Sequence, residues 1–195
     1  MLSKFLEAAG TWIQTLGTFI NASGQTIIVL QNNENSFEGN ALALTGNSVE
    51  AFGNSVQAIG KTKQEDSQVD GILGAWFQAG GNITNAKASY LMIRGFEEDG
   101  LRLDVIGDSI QSIGAFFEAA SSSTDHSEFA DLASKGQLLQ SFGAMIEAIG
   151  VLYILNDEME EGIQIQAFGS YAQLAGATIT AIAFTKEWIH SEKKN

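Results

Sequence analysis

Apolar side chains recur along this chain at fixed steps after a glycine. With that glycine as position 0, position 3 carries Ile13, Ile20, Val49, Val56, Phe77, Ile110, Phe117, Leu139, Ile146 and Ile165. Position 6 carries Leu16, Phe52, Ile59, Leu73, Ile106, Ile113, Phe142, Ile149 and Phe168. Seven residues make two helical turns, whereas a half-buried strand repeats every two, so the pattern predicts α-helix. On a helical wheel positions 2, 3 and 6 form one apolar arc. That arc is expected to be a coiled-coil-like seam with a left-handed twist. The complementary face is small and amide-bearing. Position 4 is Gln, Glu or Asn twice in each of six segments (Gln14, Asn21; Glu50, Gln57; Gln78, Asn85; Gln111, Glu118; Gln140, Glu147; Gln166, Gln173), and position 5 is mostly Ala, Ser or Thr.

Of the 21 glycines, all but Gly71, Gly80 and Gly95 stand in runs spaced by seven. A glycine inside a helix costs about 1 kcal/mol relative to alanine, so this many cost on the order of 10 kcal/mol, and close approach of a neighbouring helix is the expected compensation. Residues expected to serve close packing or self-association are Gly17, Gly46, Gly53, Gly107, Gly143 and Gly169, with Gln14, Gln57, Gln78, Gln111, Gln140 and Gln166 bonding across the gap. The competing reading makes position 4 a solvated border.

The runs repeat at a longer period. Segments starting at Gly10, Gly74 and Gly136 align, as do those at Gly39, Gly100 and Gly162, giving three copies of about 62 residues with two helices each. Turns are expected at Asn32 and Asn33, at Gly95, and at Asn156 and Asp157. Ser67 and Ser127 stand where helix caps are expected. The predicted fold is all-α: three tandem antiparallel α-hairpins, residues 1–62, 63–126 and 127–195, forming a single domain. Its six helices of about 22 to 30 residues close into a bundle or stack as a short open array.

Composition removes several classes of function. Proline and cysteine are absent, which suits long helices and excludes disulfides and thiol chemistry. A net charge of −13 opposes nucleic acid and anionic lipid surfaces. No long apolar run stands out as a membrane span or signal peptide, so a soluble, cytoplasmic protein is the expectation. His126 and His190 lack repeated partners, and no nucleophile, phosphate-loop or zinc motif is present. The acidic turns (Glu34 and Glu38; Glu97, Glu98 and Asp99; Asp157, Glu158, Glu160 and Glu161) lack the alternating oxygen ligands of a calcium loop and suit helix N-termini. No metal, cofactor or enzymatic activity is predicted.

The strings GTWIQTLGTFI (residues 10–20) and QSFGAMIEAIG (residues 140–150) resemble an uncharacterised family of repetitive helical proteins from spore-forming Gram-positive bacteria. The resemblance implies a bacterial source, with spore association as a further implication, and transfers no catalytic residue. The expected function is a non-enzymatic structural or scaffold protein that self-assembles through its small-residue faces. Two alternatives stand beside it. One is a membrane-active helical hairpin protein. The other is an apolar-ligand carrier with Trp12, Trp76, Phe19, Phe116 and Phe117 lining a cavity.

Overall fold

The computed structural model describes residues 2–64 and 68–193. Six helices follow one another: α1 (Leu2–Gln31), α2 (Phe37–Thr62), α3 (Val69–Ile93), α4 (Glu97–Thr124), α5 (Ala130–Leu155) and α6 (Met159–Lys193). They pack as antiparallel pairs α1–α2, α3–α4 and α5–α6. Neighbouring pairs join through α2–α3 and α4–α5, and α6 returns against α1. The ring is therefore closed, and the open array is ruled out. The three copies of the repeat stand as three hairpins round one axis.

Chain punctuation explains the hairpins. Asn32 and Asp157 take positive φ, 48° and 66°, and Gly95 takes 81°. These left-handed residues turn the chain within three to five residues, as short-side-chain and glycine positions permit. Ser36 caps α2, its Oγ accepting from Gly39 N at 3.1 Å. Ser127 does not cap α5, because the helix begins three residues later and its N-cap, Phe129, has no capping side chain. Ser67 lies outside the described residues.

The orientation of every helix is opposite to the expected one. Positions 2 and 6 point outward: Trp12, Leu16, Phe19, Phe52, Ile59, Ile106, Ile113, Phe142 and Phe168 are all exposed, Phe52 to 62%. Positions 0, 1, 4 and 5 point inward, so the predicted seam is the exterior and the small-residue face is the core. Glycine decides this. A Cβ on Gly10 would meet Gly53 O at 2.7 Å, one on Gly46 would meet Gly17 O at 2.7 Å, and one on Gly114 would meet Gly74 O at 2.6 Å. Each hairpin is thus zipped glycine to glycine at a backbone separation that no larger residue permits. Such approach brings Cα–H groups against carbonyl oxygens, contacts worth about 0.5–1 kcal/mol each.

Candidate functional site

The glycine zippers drive the polar side chains of positions 1 and 4 into the centre, where three levels can be distinguished along the axis. At the first, Gln14, Gln78 and Gln140, equivalent residues of the three copies, meet. Gln14 Nε2 donates to Gln140 Oε1 at 2.6 Å and to Gln78 Oε1 at 3.3 Å. Beside them Glu118, fully buried, accepts from Gln57 Nε2 (2.6 Å), Gln78 Nε2 (2.6 Å) and Gln137 Nε2 (3.1 Å). Its sequence equivalents in the other copies are Gln57 and Thr180, so one copy alone places an acid at this level.

Lys61 links that level to the end of the bundle where the termini lie. Its Nζ is 2.9 Å from Glu7 Oε1 and 3.3 Å from Glu118 Oε2, and it stacks 4.9 Å above the Phe184 ring. Gln64 Nε2 donates to Glu7 Oε2 at 2.7 Å. Around these residues opens a vestibule of about 790 Å³, with Ser3, Gln68, Ser122 and His126 among its walls.

The second level holds four more buried carboxyls, Glu50, Asp104, Asp108 and Glu147, close enough to repel one another. Asn85 Nδ2 donates to Asp108 Oδ1 at 2.5 Å and Gln166 Nε2 to Asp104 Oδ2 at 2.9 Å. Among the described residues no basic side chain is among their hydrogen-bond or ion-pair partners, and several acceptors here have no partner: Asn21 Oδ1, Gln25 Oε1, Glu50 Oε1, Asp108 Oδ2 and Glu147 Oε1. The third level, beneath the hairpin turns, is apolar. Ile28, Met92, Leu101, Ile154 and Ile163 pack into a plug that closes this end.

The predicted packing residues all lie inside. Gly17, Gly46, Gly53, Gly143 and Gly169 each face a neighbouring helix's backbone within 3 Å of where a Cβ would stand, and Gly107 faces Asn85. Gln14, Gln57, Gln78 and Gln140 converge on one level, Gln166 reaches Asp104, and Gln111 is buried against Gly81. None is a solvated border, and none is free to meet a second chain. Of the residues expected to line a carrier cavity, Trp12, Trp76, Phe19 and Phe116 face outward and Phe117 is half-buried against Phe77. The sequence pattern does not single out Asp104, Asp108 or Lys61. The signal for the two acids is that acids interrupt the middle of α2, α4 and α5 only at positions 1 and 4.

The exterior is the complement of this interior. Among the described residues no exposed charge falls within 8–33, 39–60, 71–86, 103–124, 136–156 or 162–185, one stretch on each helix. Every charged residue inside those stretches, namely Glu50, Asp104, Asp108, Glu118 and Glu147, is buried. Exposed Trp12 and Trp76 lie toward one end, exposed Tyr90 and Tyr153 toward the other. By length and composition α5 is long and apolar enough to cross a membrane, its apolar residues being interspersed with Gly, Ala, Ser and Gln rather than gathered in one run.

Polar core, apolar coat and closed ring together define an inside-out six-helix bundle. The chain belongs to DUF6944, a family of unknown function whose model matches residues 5–181. No curated protein and no solved structure matches it.

Proposed function

We propose that the protein is a membrane-inserted helical bundle, non-enzymatic, that holds a polar, acid-bearing interior within a lipid bilayer. The observation that carries this reading is the uncharged apolar band on all six helices. In water, each large apolar side chain left exposed forgoes about 1.5–3 kcal/mol, and a monomer rarely shows an apolar patch beyond a few hundred Å². In lipid the same band is at home. The uncharged stretch 39–60 of α2 is about 33 Å long at 1.5 Å per residue, against a hydrocarbon core of about 30 Å.

Other features agree. Membrane helices associate through small residues and interhelical hydrogen bonds, since lipid supplies no hydrophobic drive between them, and this interior is built of both. Ionisable residues in such bundles face inward, as the five mid-helix acids do. Tryptophan and tyrosine toward the two ends suit the interfacial belts. Self-assembly through the small-residue faces is not adopted, because those faces are consumed within the chain. The resemblance to proteins of spore-forming bacteria makes bacterial membranes the ones to try.

The test is reconstitution with phosphatidylcholine vesicles followed by density flotation, with tryptophan quenching by brominated acyl chains. Co-flotation and strong quenching of Trp12 and Trp76 are expected. Recovery of unquenched, lipid-free particles of high mass would mean that copies of the protein cover the apolar band instead.

A further inference from the structure

At the second level of the interior, between the glutamine ring and the apolar plug, lies an enclosed space of about 10 Å³, enough for one water-sized particle. Asp104, Glu147, Asn21, Gln25 and Asn85 are among its walls. All five are buried, the most exposed showing 6% of its surface. Three of them bring an oxygen with no hydrogen-bond partner among the described residues, Asn21 Oδ1, Gln25 Oε1 and Glu147 Oε1, while the unpaired Asn85 Oδ1 rests against Gly107. An unpaired buried acceptor is destabilising, and here several share one space. The amide nitrogens of Asn85 and Gln166 are given to Asp108 and Asp104.

What such a set lacks is positive charge, and what it offers is oxygen. Among the described residues no three acidic or histidine side chains are arranged to hold a metal ion, so the ligand set of a divalent cation is missing. The walls carry three carboxyls, buried Asp104 and Glu147 and half-buried Glu34, together with neutral amide oxygens, and such a set around a space of one water suits a small singly charged ion without its hydration shell. We infer that the Asp104–Glu147 cavity is a binding site for an alkali-metal cation, with sodium the best fit by size. Lys61, the nearest buried cation along the axis, does not serve the cavity: it is committed to Glu7 and Glu118 on the vestibule side.

The inference concerns the interior alone and is tested without vesicles, so its outcome is separate from that of the flotation experiment. The full chain in a non-ionic detergent is melted at constant ionic strength and constant pH in sodium, potassium or choline chloride. A ligand that binds only the folded state raises the midpoint, and a rise of about 5 °C in sodium over choline is expected. Asp104→Asn and Glu147→Gln should lose that rise, whereas Glu118→Gln, outside the cavity, should keep it. Direct binding of radioactive sodium should approach one ion per chain and vanish in Asp104→Asn. A wild-type midpoint that ignores the cation, or that rises only on acidification, would overturn the assignment, the second because protons alone then neutralise the carboxyls. Should both cavity variants fail to fold, the wild-type cation series and direct binding still decide.

Discussion

Gly53 and Gly80 both sit inside helices, yet alanine should move them in opposite directions. A Cβ at Gly53 would collide with the backbone nitrogen of Gln14 and come within 2.7 Å of Gly10 O; at Gly80 it would meet nothing within 4 Å. Gly53→Ala, Gly143→Ala and Gly169→Ala should each destabilise by about 1–3 kcal/mol through forced separation of the helices. Gly80→Ala should stabilise by about 0.5–1 kcal/mol through helix propensity and a less disordered unfolded chain. Denaturation of the four variants in one detergent gives the comparison. Glu118 is the second decisive residue. Its carboxylate gathers three glutamine donors and Lys61, so Glu118→Gln replaces an acceptor by a group that must also place two donors. A loss of about 3 kcal/mol is expected, measured as an earlier thermal midpoint.

At the scale of the helix, the exterior makes a prediction that distinguishes it from a core. Phe52 and Ile113 lie midway along α2 and α4, more than half exposed. Phe52→Lys and Ile113→Lys remove no interior contact, so the bundle should melt in detergent within a few degrees of wild type. Each nevertheless places a charge in mid-bilayer at about 2.5–3.5 kcal/mol, and the fraction recovered with floated vesicles should fall several-fold. The glycine period made the helices, the hairpins and the turns at Asn32, Gly95 and Asp157 readable from the sequence. Which face turns inward was not readable from period alone. A heptad marks two faces equally well, and the usual assignment of the apolar one to the core presumes water outside. Bare backbone on the other face offered an alternative, in which packing at glycine distance and bonds between Gln14, Gln78 and Gln140 hold the centre. The burial of the acids at 104 and 108 is not readable for the same reason, since it follows only once the inward face is known.

The whole molecule is a ring of six helices round a polar axis, plugged by Ile28, Met92 and Leu101 at one end and open at the Lys61 vestibule at the other. An even number of antiparallel helices puts both ends of the chain on the vestibule side and all three hairpin turns on the plugged side. Among the described residues Lys4, Lys61, Lys63, Lys135, Lys186 and Lys193 belong to the first side, while only Lys87, Arg94 and Arg102 belong to the second. Bilayers are asymmetric toward such a bias, since short segments rich in lysine and arginine stay cytoplasmic. The vestibule should therefore open to the cell interior and the plug face outward. Because the natural chain has no cysteine, a single one introduced at Asn33 or at Lys63 reports this sidedness directly. An impermeant maleimide added to intact cells should label the first and spare the second, and the reverse would turn the molecule over.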